Sequence, residues 1–142
     1  LKDGTKKMSK SDPSDLSRIN LTDNNDQISN KIKKAKTDPL NMPRDRKSLK
    51  ERPEAENLLG IYSSLTNQNI EESINQFDGK NFSEFKEKLS RVLVEKIEPI
   101  SKEIKKLLND SSYLDNILLD GSNKAEKIAS KKIKEIKKLV GF

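Results

Sequence analysis

From Phe85 onward, apolar residues return every three or four positions: Phe85, Leu89, Val92, Leu93, Ile97, Ile100, Ile104, Leu107 and Leu108. That spacing follows the 3.6-residue turn of an α-helix and gathers these side chains on one face, so the stretch predicts a long helix with an apolar stripe. No segment alternates apolar and polar residues as a half-buried strand would, and β-branched residues occur singly. The expected fold class is all-α. Pro99 falls inside the stripe, where it removes one helix hydrogen bond and crowds the preceding turn, so a kink is expected there.

The same reasoning places the other helices. Ile28, Ile32 and Ala35 form an apolar stripe on residues 23–36, with Thr22 as the expected cap and Asp38-Pro39 as the stop. Pro39 to Arg52, with two prolines and a cluster of Lys and Arg, reads as a basic connector. Pro53 suits a first helical position, and Leu58, Leu59, Tyr62 and Leu65 continue a helical face behind it. A short helix over 70–77 should end at Asp78-Gly79, and Ser83 should cap the long helix. Ser111 or Ser112 should start a further short helix carrying Leu114, Ile117 and Leu118, closed by Gly121 in a left-handed cap, before a last helix over 123–140. All these apolar positions, with Tyr62, Tyr113 and the four Phe, are expected in the core.

Only 31% of the 142 residues are apolar and 37% are charged, which suits a small helical domain with wet outer faces. With neither Cys nor His, disulfides, thiolate metal sites, zinc hydrolysis and nucleophilic triads are poor readings. The longest apolar runs, such as Ile117 to Leu119, fall far short of the roughly 20 residues that span a bilayer. The chain opens at Leu1 within a motif, without Met or a basic-plus-apolar leader, and is expected to be a piece of a longer protein.

The net charge of +6 is segregated. Residues 1–53 carry 14 Lys/Arg against 8 Asp/Glu, residues 54–121 carry 8 against 13, and residues 122–142 carry 7 against 2. Basic ends around an acidic middle are expected when particular surfaces meet phosphates.

Residues 1–21 have no periodic apolar face and read as loop and short turns, mobile when isolated. Within them, Lys6-Lys7-Met8-Ser9-Lys10-Ser11-Asp12-Pro13 puts Lys7 and Lys10 on a short loop with hydroxyls between and after them, next to Gly4. Ammonium groups, hydroxyls and freed backbone N–H groups can converge on a polyphosphate; a solvated basic turn is the plain alternative.

The string Lys7-Met8-Ser9-Lys10-Ser11 resembles the KMSKS signature of class I aminoacyl-tRNA synthetases. Its continuation from Asp12-Pro13-Ser14-Asp15-Leu16 to Asp23 is similar to the bacterial-type tryptophanyl-tRNA synthetases. So are Ile32 to Asp38, Arg52-Pro53-Glu54-Ala55-Glu56-Asn57-Leu58-Leu59-Gly60-Ile61-Tyr62, and the terminal Leu139-Val140-Gly141-Phe142. The resemblance implies a C-terminal part of such an enzyme: the KMSKS loop and its junction over 1–21, a helix and basic connector over 22–52, and a helical domain over 53–142 that binds the anticodon arm.

The implied reaction joins tryptophan to tRNA(Trp) through an adenylate formed from ATP. Lys7 and Lys10 match the catalytic phosphate-binding lysines, and Lys7, Met8, Ser9, Lys10 and Ser11 the ATP-binding loop. As the tryptophan carboxylate attacks the α-phosphate, negative charge grows on the departing pyrophosphate, and cations held closer to it then than before lower the barrier. Magnesium is implied as part of the nucleotide substrate, with no metal site of the protein's own. The family's HIGH-like motif needs histidine, so the nucleotide-binding α/β domain and the tryptophan pocket are expected upstream, and the chain alone is expected inactive. The resemblance further implies a cytoplasmic homodimer for the full-length protein, with this piece a monomer and no membrane partner.

On the last helix, Lys124, Lys127, Lys131, Lys134 and Lys138 fall on one side, opposite Ala125, Ala129, Ile133, Ile136, Leu139 and Val140, with Lys132 intruding on the apolar arc. Either the lysines form a solvated face, or they track tRNA backbone phosphates. A stand-alone basic helical module that binds RNA or protein is the other reading of the whole chain; it explains the charge segregation but not the KMSKS string.

Overall fold

The computed structural model describes residues 1–7 and 9–141, and among them the regular elements are all helical. A single 3-10 turn, Asp15–Ser17, precedes six α-helices: α1 Asn25–Lys34, α2 Arg46–Lys50, α3 Pro53–Thr66, α4 Ile70–Phe77, α5 Phe82–Leu108 and α6 Ser111–Val140. The chain divides into two compact units, residues 1–102 and 103–142.

In the first unit the helix starts are written in local polar chemistry. Asn24 and Gln27 close a reciprocal capping box on α1, and Asn69 and Glu72 do the same on α4. Thr22 is therefore not the cap of α1. The Asn24 side chain accepts from the Gln27 N–H, and Asn is among the strongest N-caps. Asn81 likewise displaces Ser83 at the start of α5, accepting from the Glu84 N–H at 2.9 Å. Pro53 opens α3 as expected, and α4 ends before Gly79, whose φ of +67° lies in the left-handed region.

The basic connector is not wholly irregular. Asp45 accepts from the Ser48 N–H at 2.7 Å and starts the one-turn helix α2, which buries Leu49. Arg52 then grips Asp38 with a planar fork, Nε to Oδ2 at 2.8 Å and Nη2 to Oδ1 at 2.6 Å, and also reaches the Asn41 carbonyl. Its guanidinium lies 5.5 Å from the centre of the Phe82 ring.

The core of this unit gathers Ile28 and Ile32 of α1, Leu49 of α2, Leu58, Leu59 and Tyr62 of α3, Ile74 and Phe77 of α4, and Phe85 and Leu89 of α5. Phe77 meets Tyr62 and Phe85 edge-on, each pair of centroids 4.9 Å apart. Such aromatic pairs each add about 0.5–1.5 kcal/mol beyond their area. Of the aromatic residues expected in the core, Tyr62, Phe77, Phe82 and Phe85 are buried, Tyr113 is exposed, and Phe142 lies outside the described residues.

Pro99 sits within α5 without ending it. The second unit departs further from expectation. Gly121 does not cap a helix; α6 runs unbroken through it, and Gly141, with φ +85°, is the left-handed C-cap instead. A helical glycine costs about 1 kcal/mol relative to Ala, too little to break a long helix whose flanking turns propagate, and Lys124 pairs with Asp120 at 2.6 Å across it. No residue of α6 is buried, so its apolar arc, Ile133, Ile136, Leu139 and Val140 included, is exposed. Besides α6 this unit holds only the last turn and a half of α5 and a short turn, too little chain to enclose a core.

Candidate functional site

Residues 4–7 and 9–12 lie between two anchored arms. On the incoming side Gly4 lies against the first turn of α3. A Cβ there would stand 2.4 Å from the Pro53 carbonyl oxygen, 2.5 Å from its carbon and 2.7 Å from the Glu54 nitrogen, an approach only glycine permits. Just before it, the Lys36 N–H donates to the Leu1 carbonyl at 2.9 Å, and Lys36 pairs with Glu54 at 2.7 Å. Asp3 accepts from the Thr5 hydroxyl and backbone N–H, which hold its carboxyl below the usual carboxylate range.

On the outgoing side the contacts are almost entirely polar. Asp12 accepts from the Ser14 N–H at 2.7 Å through its side chain and from Arg18 Nη1 at 2.9 Å through its carbonyl. Arg18 also approaches Asp15 at 3.6 Å. Asn20 Nδ2 donates to Asp15 and Asp23, and the Asn20 N–H donates to Asp23 at 2.8 Å. All of this converges on Lys31 of α1, whose Nζ stands 2.8 Å from Asp15 and 2.6 Å from Asp23. Burial pulls the Lys31 pKa down, but hydrogen bonds to the two carboxylates outweigh it and the net direction is upward. The bond from Lys31 is also the leading cause that lowers Asp15.

Between these anchors the Ser9 side chain accepts from the Ser11 N–H at 3.2 Å and the Ser9 carbonyl from the Asp12 N–H at 3.4 Å, which places Lys10 and Ser11 at the tip of a turn. Lys7, Ser9, Lys10 and Ser11 are all exposed. Among the described residues, neither Lys7 nor Lys10 is paired with a carboxylate, whereas the neighbouring Lys6 approaches Asp3 at 3.5 Å. Met8 lies outside the described residues. Two unpaired ammonium groups and two hydroxyls on an open turn suit a flexible polyanion: the charge is available and the hydroxyls can complete its hydrogen bonding. Among the described residues no group of three Asp or Glu is placed to hold a metal ion, and no helix is long and apolar enough to cross a membrane.

The lysines singled out on the last helix, Lys124, Lys127, Lys131, Lys134 and Lys138, are all exposed on α6, and Lys124 spends its charge on Asp120. They belong to the other compact unit from the loop. Lys132 is paired with Glu135 at 3.1 Å.

The anchoring residues Asp15, Arg18, Asp23 and Lys31 escaped the reading of the sequence. One signal for them existed: Lys31 lies three residues after Ile28, next to Ile32 and four before Ala35, so a charged residue sits on the face that α1 buries. A second basic feature, also unforeseen, is a cleft between α1 and α5 lined in part by Lys33, Lys86 and Arg91. There Lys86 Nζ donates to the Lys33 and Ala35 carbonyls at the end of α1, and burial lowers its pKa. It thereby satisfies carbonyls that the helix leaves unpaired.

Residues 1–98 match the family described as tRNA synthetases class I (W and Y). Over its whole length the chain is 51% identical to a tryptophan-tRNA ligase of Agrobacterium fabrum and 49% identical to one of Rhizobium meliloti, and spans 40% of each. It is 46% identical to the tryptophan-tRNA ligase of Caulobacter vibrioides, again over the whole chain, which covers 41% of that protein. The chain thus spans about 40% of the length of the curated relatives it matches.

Proposed function

The chain belongs to the class I tRNA synthetases of the W and Y group, and from that membership we propose that it is the C-terminal part of a tryptophan-tRNA ligase, carrying the loop that acts on ATP and the helices that meet tRNA(Trp). The observation that carries this reading is the exposed segment bearing Lys7 and Lys10, paired with no carboxylate among the described residues yet anchored at both ends, within a chain 51% identical to such a ligase from end to end. Lys10 and Lys7 close on the β- and γ-phosphates, with magnesium arriving on the nucleotide. Their charge meets the negative charge that develops on pyrophosphate as the tryptophan carboxylate displaces it. Ser9 and Ser11 complete the donors.

Residues 1–21 join this loop to a nucleotide-binding domain upstream, which also holds the tryptophan pocket. Residues 22–52 carry α1 and the connector, and residues 53–142 receive the anticodon arm. The α6 lysines follow its backbone phosphates without reading base identity. The full-length protein works as a cytoplasmic homodimer, while the 142-residue chain by itself is monomeric and inactive.

The test is tryptophan-dependent exchange of pyrophosphate into ATP, followed by charging of tRNA(Trp). The full-length gene product should do both, and the 142-residue chain neither. Exchange supported by tyrosine instead of tryptophan would overturn the amino-acid assignment. Absence of exchange with either amino acid would overturn the ligase reading.

A further inference from the structure

We infer that Lys31 is a positioning residue for the KMSKS loop: from α1 it holds the loop's outgoing arm through Asp15 and Asp23, so that Lys10 is presented from a fixed base. The inference rests on the phosphate-binding reading of that loop.

Lys31 is buried where the fold itself has no use for a charge. Its side chain is 3% exposed, beside the fully buried Ile28 and Ile32, and its partner Asp23 is 6% exposed. Taking such a pair out of water is costly, and replacing a buried ion pair with packed apolar groups is often neutral or stabilising. A leucine or methionine on this face of α1 would therefore serve packing at least as well. What an apolar residue cannot do is reach out to Asp15, which is 57% exposed and stands in the 3-10 turn just beyond the motif.

From Asp15 the contacts continue to the motif itself. Arg18 bridges Asp15 and the Asp12 carbonyl, and Asp12 is the residue after Ser11. Asn20 ties Asp15 to Asp23, and the Asp23 carbonyl accepts from Ser101 of α5 at 3.5 Å. A continuous polar path thus runs from helices packed in the core to the foot of the loop. Residues 12–23 have little apolar surface to hold them otherwise: Ser17 is buried, and Ile19 is only partly buried against the core. Lysines that stabilise a developing charge must sit where that charge appears, and a displacement of about 1 Å costs up to a hundredfold in rate. An arm released from α1 would permit such a displacement without touching the tryptophan pocket.

The test uses the full-length enzyme with Lys31→Met, Asp15→Asn, Lys10→Ala and the double variant Lys10→Ala/Asp15→Asn. Single-turnover adenylate formation and tryptophan affinity are measured on each. Lys31→Met should slow adenylate formation about tenfold and Asp15→Asn about threefold, with tryptophan affinity within about twofold of wild type. On the Lys10→Ala background Asp15→Asn should lose most of its effect, because a residue that acts only by placing Lys10 has nothing left to place. Should Lys31→Met fail to fold, the exposed Asp15→Asn and its double variant decide the matter alone. Normal rates for Asp15→Asn alongside a slow Lys10→Ala enzyme would overturn this inference and leave the loop's assignment standing. Full additivity of the two substitutions, or tryptophan affinity falling in step with rate, would reduce the cluster to a structural role and overturn it as well. A Lys10→Ala enzyme as fast as wild type would remove the assignment of the loop, and this inference with it.

Discussion

Replacing Gly4 with alanine adds one methyl group at the incoming end of the loop, and the structure says where it goes. The new Cβ would meet the Pro53 carbonyl oxygen at 2.4 Å, whereas ordinary Cβ contacts begin near 3.4 Å, so one side has to withdraw by about 1 Å. All three nearest atoms are backbone of the first turn of α3, and that helix is fixed behind them by the buried Ala55, Leu58 and Leu59. The backbone of Gly4 is not in the left-handed region, so the cost is overpacking alone, about 1–3 kcal/mol. Alanine returns about 0.4–1 kcal/mol by restricting the unfolded chain, leaving a net loss of about 1.3 kcal/mol at the middle of the two ranges and about 2.6 kcal/mol at most. If the segment instead peels away from α3, the loss is capped at the free energy of docking, and the Lys36 amide, which donates to the Leu1 carbonyl, becomes open to solvent. Urea unfolding at constant m-value reads the first outcome, and hydrogen exchange at the Lys36 amide reads the second. A wild-type urea midpoint together with an undiminished Lys36 protection factor would refute the close approach and the reasoning built on it.

The same substitution should have the opposite sign where glycine sits in an open helix: Gly60→Ala in α3 and Gly121→Ala in α6, where an added Cβ meets nothing within 4 Å, should each stabilise their helix by about 0.5–1 kcal/mol, read by urea unfolding and helical circular dichroism. Lys10→Ala in the full-length enzyme should slow adenylate formation by roughly a hundredfold to a thousandfold, with Lys7→Ala acting in the same direction less strongly, and tryptophan affinity unchanged in both; pyrophosphate exchange and equilibrium binding separate the two effects. Reversing Lys127, Lys131 and Lys134 to Glu should weaken tRNA binding and flatten its salt dependence while sparing pyrophosphate exchange; an unchanged salt slope would make the stripe ordinary solvated surface. The Lys31 cluster also carries a pH signature. The Asp15 pKa is lowered on folding, so its contribution is present above about pH 4 and fades as pH falls through the lowered value; the Lys31 pKa is raised, so its contribution is present below about pH 10.5 and fades as pH climbs through the raised value. Urea midpoints against pH for wild type and Asp15→Asn should converge at low pH.

Much of the architecture is legible in the residues because it is local. The spacing of Phe85, Leu89, Leu93 and Ile97 dictates a helical stripe whatever it packs on, Pro53 suits a helix start, and Asp78-Gly79 a helix end. Where local signals compete, the helix start moves by two residues: Thr22 and Asn24, or Ser83 and Asn81, are all credible caps, and the choice falls to the register in which the apolar face meets its neighbours. Gly121 shows the limit on the other side, since a weak local penalty cannot by itself stop a helix that has good turns before and after it.

By itself the sequence determined the helical class, the positions of most helices in residues 1–102 and the family, because periodicity and short strings of residues are properties of neighbours along the chain. The tertiary structure decided what holds that loop. Gly4 against Pro53, and Lys31 between Asp15 and Asp23, join residues separated by 49, 16 and 8 positions. Such contacts leave no period in the sequence, since a hydrogen bond or a close approach constrains one pair of atoms rather than a whole face. Only folding, which brings α1 and α3 beside the arms of the loop, makes those pairs neighbours.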